Sequence, residues 1–564
     1  MNKVLLVAAE NDALIKAKVG GMGDVIRDLP KALSDCGISA DVAMPEYGFL
    51  KDYYCADKVT DIEVSFGGKI EKISIYRIPR PESKAQVCIA KGSSEQHSWV
   101  YLFAHPMFNQ ADGSIYTQGS ADRPFADDAD KFALFCLAVA SALLQGKLGH
   151  YEVMHLHDWH TAMIAMLREC VDDFASLKQI KCIYTIHNLA LQGIRPLTGD
   201  KSSLCHWYPQ WFFANQLDNL PNGIVDPRYP NCANPMRMGI VFSNKVHVVS
   251  PTYAKEILLA SHPEKGFYGG EGLEQDLQLK AANQQLVGII NGCDYTIDDN
   301  HTQNTADSAL SETQQVLKSQ SENLTFQRLD LLSTAQEALI QWQKYKSVVS
   351  STDFIANIRV DQHIRRYTNI DSSYPGLLVT SVGRLTTQKV MLFLTKIANG
   401  KTVLDQLLIN LKQQQPDALF MLLGSGDEHL SNQLKTICAQ YANSIFLNGY
   451  DEQLSQLLYQ QGELFLMPSS FEPCGISQML AMKHGQPCLV HGVGGLKDTV
   501  KHDENGWVFN GDGIEMQANN FISQFNQCLQ SYGTLPWQQI KQQASNARFD
   551  WQTVAQAYKD HLYN

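Results

Sequence analysis

The sequence predicts an α/β protein made of two doubly wound domains. Three observations carry this. The chain has 564 residues, too many for a single hydrophobic core, which stops growing beyond about 250–300 residues. Short apolar runs alternate with longer amphipathic stretches in both halves, the pattern of parallel strands joined by crossover helices. Between the halves, residues 296–335 are rich in Ser, Thr, Gln, Asn and Asp, which reads as a linker or surface excursion, partly helical after about residue 326.

In the first half, KVLLVAAE (3–10), SADVAMP (39–45), EVMHLHD (152–158), IKCIYTIHN (180–188), KVHVVSP (245–251) and QLVGIIN (285–291) read as strands, with helices over 128–145 and 160–173. Many of these strands end in polar or glycine residues, where open α/β sheets place their ligands. The alternation resumes with GLLVTSVGR (376–384), ALFMLLGSG (418–426), SIFLNGY (444–450), LFLMPSS (464–470) and PCLVHG (487–492). The expected division is a first domain over 1–295, a variable polar linker or hinge over 296–375 and a second domain over 376–540.

Composition narrows the function. At 44% hydrophobic and 18% charged residues the chain reads as soluble and globular, and no apolar run reaches the length of a membrane span. The apolar start is too short for a signal-peptide core and meets Glu10 at once, so a cytoplasmic protein is expected. A net charge of −12 favours neither nucleic acid nor anionic membranes, and a phosphorylated ligand would need local cations. Thirteen cysteines without a Cys-x-x-Cys pair argue against a zinc ribbon or a disulfide framework and for buried, reduced thiols.

Several segments carry chemistry. In SSFEPCGISQ (469–478), Glu472 stands before a proline and the Cys474–Gly475 pair, ahead of a helical run. Gly494 and Gly495 open a second helix after the next strand. Two loop-to-helix junctions can turn backbone N–H groups toward an anion, and a carboxylate beside them can accept sugar hydroxyls. In KAKVGGMGDV (16–25), Lys18 offers a movable charge. Gly20, Gly21 and Gly23 let backbone approach a ligand, although a tight turn with a solvated lysine accounts for the same residues. The segment matches neither the Walker nor the dinucleotide fingerprint. Arg384 and Lys389, five residues apart after a strand, can clamp a diphosphate or simply be surface charge.

In HLHDWH (155–160), three histidines and an aspartate invite a metal reading that no further ligand cluster supports. Asp158 and Trp159 are instead expected to line a cleft and grip a sugar by carboxylate and ring face, with His155 a satisfied core histidine. His187 and Asn188 end a strand, where the histidine either bonds a sugar hydroxyl, acts as acid or base, or is structural. Gly424 opens GSGDE (424–428), a tight turn near a nucleotide or an ordinary strand–helix loop.

Taken in order, these segments resemble the bacterial glycogen synthase and plant starch synthase family, the ADP-glucose-dependent retaining α-glucan synthases. The resemblance runs through KVGGMGDV (18–25), HLHDWH, TIHNLALQG (185–193), VSPTYAKEI (249–257), FYGGEGL (267–273), GIINGCDY (288–295), SVGRLTTQK (381–389), SSFEPCGISQ, GGLKDTV (494–500) and RFDWQTV (548–554). It implies a GT-B fold, two Rossmann-like domains facing each other across a cleft, with a C-terminal helix over 541–564 crossing back to the first.

It also implies that Lys18, Gly20 and Gly21 approach the donor's phosphate and glucose. Arg384 and Lys389 would neutralise the pyrophosphate, and Glu472 would take donor glucose hydroxyls beside Cys474 and Gly475. His187 would face the transferred glucose, Asp158 the acceptor. Asn188, Trp159, Gly424, Gly494, Gly495 and Thr499 complete the implied binding set.

The implied reaction transfers glucose from ADP-glucose to the 4-OH end of an α-1,4-glucan such as glycogen, with no metal and no cofactor. Gln478, and Leu480 where the broader retaining class has a second Glu, set the chain with the glycogen synthases. Four departures stand out: Ser470 for the usual Arg, Val390 for a glycine, Leu191 for a tyrosine, and the segment 296–375. They leave open a UDP-glucose enzyme or a silent relative that only binds nucleotide sugar or glucan.

Overall fold

The computed structural model describes residues 3–81, 98–109, 113–117, 126–295, 313–344 (side chains from 324), 351–368 and 376–564. The chain forms two compact units. The first comprises Met1–Ser261, Gly269–Asp294 and Phe549–Asn564; the second comprises His262–Tyr268 and Tyr295–Arg548.

The first unit holds eleven strands among the described residues: β1 (Lys3–Val7), β2 (Ser39–Pro45), β3 (Asp57–Phe66), β4 (Lys69–Pro79), β5 (Trp99–Ala104), β6 (Val153–His157), β7 (Lys181–Ile186), β8 (Arg195–Pro196), β9 (Cys232–Ala233), β10 (Lys245–Val248) and β11 (Leu286–Gly288). Nine of them form one sheet in the order β11-β10-β7-β6-β1-β2-β5-β4-β3, antiparallel only along β5-β4-β3. The central strands are buried on both faces, as fits near-continuous apolar runs such as VLLV in β1. The helix Ala126–Leu144 is buried on every face from Phe132 to Leu143, which is why its pattern carries little amphipathic periodicity. The strands β3, β4 and β5 lie outside the expected set; the β3–β4 hairpin, with its alternating Asp, Glu, Lys and apolar residues, does not continue the βα rhythm.

The second unit is a six-stranded sheet of β12 (Leu378–Val382), β13 (Leu419–Gly424), β14 (Ser444–Asn448), β15 (Leu464–Met467), β16 (Cys488–His491) and β17 (Gly506–Phe509), all parallel. Its order, β14-β13-β12-β15-β16-β17, is the 3-2-1-4-5-6 arrangement of dinucleotide-type sheets. In both units the strand order reverses beside the first strand, at β1/β6 and at β12/β15. Ligand crevices of open α/β sheets form at the carboxyl ends of such strands.

Two expectations need correction. Residues 324–343 and 351–368 do not behave as a linker: the helices Thr313–Gln343 and Ser351–Thr368 lay Leu331, Leu332, Ala335, Leu339, Ala356 and Val360 against Leu378, Leu419 and Met421 of the second sheet. Spacings of three and four residues put these apolar side chains on one stripe of each helix, which the polar composition masks. The returning segment starts at Phe549 rather than 541, since Leu535–Asn546 is a helix of the second unit. In the first unit, Trp551 donates its indole N–H to Asp28 at 3.0 Å, and the ring of Trp551 leaves no room for a Cβ at Gly292. Among the described residues eleven cysteines are free, in line with mostly reduced thiols, and Cys55 is disulfide-bonded.

Candidate functional site

In the first unit, the chain leaving β1 is organised by Glu10. Its buried carboxylate accepts the backbone N–H groups of Val19 at 2.7 Å and Gly20 at 2.6 Å, and the hydroxyl of Tyr116 at 2.8 Å. A carboxylate is an acceptor-only group, so it draws the Lys18–Gly20 loop inward and leaves Gly20 as the extended residue before the helix Gly21–Asp35. Gly21 and Gly23 are therefore helical rather than part of the loop, a correction to the expected reading. At Gly23 a Cβ would lie 3.1 Å from Lys18 Cγ, so the glycine makes room for the lysine stem along the first turn. Lys18 is not a lone cation either. Its ammonium pairs with Asp24 at 2.6 Å and Asp12 at 3.3 Å, and Arg27 reaches the same two acids at 3.2 and 2.5 Å. Burial pushes the Asp24 carboxyl up, against the pull of Lys18 and Arg27.

At the ends of β6 and β7, Asp158 adopts a positive φ of 55° and accepts the N–H groups of His187 at 2.7 Å and Asn188 at 3.3 Å. Burial raises its pKa to about 7, against those two N–H groups, which lower it. The structure thus joins Asp158, His187 and Asn188 into one corner. His187 is half-buried, its pKa is held down to about 3, chiefly by burial, and its Nε2 lies 2.9 Å from His157 Nδ1.

Trp159 is not part of that corner. It is 3% exposed, packed edge-on against Phe132 and under Gly193, where a Cβ would come within 2.2 Å of the indole. Its ring belongs to the core and offers no face to a sugar, contrary to the expectation. The metal reading of the His155, His157 and His160 motif also fails on geometry. His155 stacks on His157 at 4.5 Å, while His160 packs against Phe132 and Trp159. Among the described residues no group of three His, Cys, Asp or Glu side chains is arranged to hold a metal ion.

In the second unit, Lys389 lies in the first turn of the helix Thr387–Leu394, not in a loop, and its ammonium pairs with the Glu472 carboxylate. Glu472 is 6% exposed. Arg384 is exposed in the loop after β12, and its guanidinium has no hydrogen-bond or ion-pair partner among the described residues. Ser470 ties the Glu472 loop to the Lys389 helix: its N–H and hydroxyl both donate to the Gln388 carbonyl, at 2.9 and 3.2 Å, and Gln388 Nε2 donates to the Phe471 carbonyl at 2.6 Å. Gly424 ends β13 where a Cβ would come within 2.3 Å of the Gly383 carbonyl oxygen, so it permits close backbone packing beneath the Arg384 loop.

The two glycine junctions meet. Gly494 has φ +44°, and a Cβ there would fall 1.9 Å from the Glu472 carbonyl oxygen; one at Gly495 would fall 2.2 Å from that of Cys474. The Gly495 N–H donates to the Glu472 carbonyl at 3.0 Å. Behind them, fully buried Gln478 donates to the Cys474 and Gly475 carbonyls and to the Thr499 hydroxyl at 3.2, 2.8 and 3.1 Å. Thr499, expected to touch substrate, is 1% exposed and spends its hydroxyl on the Gly495 carbonyl at 2.7 Å. It supports the glycine turn from inside, and Cys474 is likewise buried.

Comparison with known proteins agrees over the full length. Residues 3–279 match the starch synthase catalytic domain and residues 377–527 the glycosyl transferases of group 1. The glycogen synthase of Streptococcus agalactiae serotype Ia is 29% identical over 577 residues, spanning 100% of this chain and 99% of its own. That of Streptococcus pneumoniae serotype 19F is 28% identical over 572 residues, with the same coverage. The catalytic domain of Starch Synthase IV from Arabidopsis thaliana, solved bound to ADP and acarbose, shares the fold at a TM-score of 0.69 and 24% identity, covering 100% of this chain and 98% of that one.

The chain belongs to the glycogen and starch synthase family. With its two parallel Rossmann-like sheets, this glycogen and starch synthase relative has the GT-B fold, and it is a glycosyltransferase. Two groups that shape the site, Glu10 and Tyr116, were not among the expected site residues, and Gln478, singled out only as a family marker, is the buried brace of the Gly475 turn. An acid directly after an apolar strand was the available signal for Glu10. Nothing local marks Tyr116, which is brought to Glu10 across 106 residues.

Proposed function

We propose that the protein transfers glucose from ADP-glucose to the 4-OH end of an α-1,4-glucan such as glycogen, with retention at the anomeric carbon, and that it works in the cytoplasm. The observation that carries this reading is the second unit's charge arrangement. A Lys389–Glu472 pair abuts the Gly494–Gly495 turn, and the exposed guanidinium of Arg384 lies in the same unit, at the end of β12. Cations at the carboxyl end of a parallel sheet suit a diphosphate leaving group, and a nearly buried carboxylate suits sugar hydroxyls. In this scheme the acceptor oxygen attacks C1 from the face the diphosphate leaves, the C1–O bond to the diphosphate breaks, and the acceptor proton passes to the departing phosphate oxygen. Lys389 and Arg384 stabilise the charge that develops there. The scheme requires no metal or cofactor, because these cations do the neutralising.

In the first unit, Asp158, His187 and Asn188 are assigned to the sugars, and Lys18 to the donor by exchanging one of its carboxylate partners for phosphate. The test is glucose incorporation into glycogen by the purified chain, comparing ADP-glucose with UDP-glucose. Faster incorporation from ADP-glucose is expected; polymer growth only from UDP-glucose would overturn the donor assignment, and none from either would overturn the reaction.

A further inference from the structure

Behind His187 lies a buried histidine assembly that the proposed chemistry does not use. In the first unit, Tyr563 Oη is 2.8 Å from His155 Nδ1, His155 Nε2 is 2.6 Å from Thr185 Oγ1, Thr185 Oγ1 is 2.9 Å from His247 Nδ1, and His247 Nε2 is 3.2 Å from the Ile289 carbonyl. A carbonyl only accepts, so the His247 proton sits on Nε2, and at its Nδ1 the Thr185 hydroxyl at 2.9 Å is a nearer donor than the Tyr558 hydroxyl at 3.4 Å. His247 donates from Nε2 and accepts at Nδ1. Thr185 donates to it and accepts from His155 Nε2, and Tyr563 donates to His155 Nδ1. Burial keeps all three histidines neutral, with His155 and His157 well below and His247 at about 4. The segment bearing Tyr563 is itself anchored, since Lys181 and Lys245 donate to the carbonyls of Asn564 and His561. His155 is thus locked at both nitrogens, and His157 stacks on it at 4.5 Å and 24°.

His157 has one nitrogen engaged and one stranded. Nδ1 meets His187 Nε2 at 2.9 Å, while Nε2 is buried with no partner among the described residues. A neutral imidazole carries one N–H. Placed on Nε2 it would be an orphaned buried donor, the rarer and costlier defect; placed on Nδ1 it makes a hydrogen bond and strands only a lone pair. The partner's Nε2 must then accept, so the His187 proton sits on Nδ1, which has no partner among the described residues. We propose that His157 is a positioning residue that holds His187 in the Nδ1–H form, so that His187 meets its ligand as a hydrogen-bond donor and not as a base. The ligand oxygen it addresses is an acceptor, such as a sugar hydroxyl oxygen or a phosphate oxygen. The assignment of that ligand rests on the function proposed above, but the tautomer does not.

The test is nitrogen NMR on the full chain with ¹⁵N-labelled histidine, the His187 signals being identified by their loss in His187→Ala. Expected are a protonated Nδ1 and an unprotonated Nε2 on His187 at neutral pH. The reverse pattern overturns the proposal whether or not the protein makes glucan. Two variants extend it. His157→Phe keeps the stack and removes the donor, and kcat is expected to fall about tenfold, the effect of one lost hydrogen bond to a reacting site. His157→Asn places an amide N–H near the Nδ1 position and is expected to recover about threefold of that loss. Equal kcat in His157→Phe and wild type, with the His187 tautomer unchanged, would contradict it.

Discussion

Lys389 and Glu472 come from segments 83 residues apart and meet because the loops after β12 and β15 lie at the point where the second sheet reverses its order. Removing either partner strands the other charge in a site with little water. Glu472→Gln and Lys389→Ala are each expected to lower kcat by about 10²–10³, the usual loss for a preorganised electrostatic group. Circular dichroism should be unchanged, and rates within twofold of wild type would remove both residues from the mechanism. Asp158 makes a separate, pH-dependent prediction. Its pKa rises from 3.8 to about 7 on folding, so the folded chain favours the protonated form. That contribution is present in full below about 4 and is lost as pH climbs through about 7. Stability should therefore fall over that interval in wild type and fall less in Asp158→Asn, as read from denaturant midpoints. If the ionised carboxylate is what receives the acceptor hydroxyl, activity should rise through about pH 7 in wild type and lose that step in the variant.

The junction of the Glu472 loop with the helix Gly494–Thr499 depends on two missing side chains. Gly494→Ala would drive a Cβ into the Glu472 carbonyl oxygen at a positive φ. It is expected to cost more than about 2 kcal/mol and to abolish turnover, checked by thermal unfolding together with rate. Here the sequence was informative, because a Gly-Gly pair before a helix has few other uses. The glycines at 21 and 23 show the limit of that reasoning: they read as loop but are helical, because Glu10 draws the preceding N–H groups inward. Composition misled more seriously over residues 324–343 and 351–368, where the apolar residues are few but share one stripe on each helix. Leu332, fully buried against the second sheet, gives the test. Leu332→Ala is expected to destabilise the second unit by about 2–5 kcal/mol in denaturant titration, whereas a linker position would change it by less than about 0.5 kcal/mol.

Most strands of both sheets follow from alternating strand and helix patterns, their order does not, and Lys18, His187, Arg384, Lys389 and Glu472 all fall in the connections after strands or in the first helix turns that follow, as their motifs suggested. What one sequence could not convey was burial. Trp159 and Thr499 look equipped for a ligand but are enclosed, Trp159 beneath Gly193 and Thr499 behind Gly495, by neighbours distant in pattern though close in number. Lys18 looks free but is held by Asp12 and Asp24. Membership in the synthase family and the placement of Lys389 against Glu472 together point to glucose transfer to glucan. Its most direct test is the initial rate of labelled glucose incorporation from ADP-glucose into glycogen, measured side by side for the purified wild-type chain and Glu472→Gln. Steady polymer labelling by wild type and a loss of at least about 10²-fold in the variant are expected; no incorporation by folded wild type, or equal rates in the two proteins, would rule out this transfer or the role of Glu472 in it.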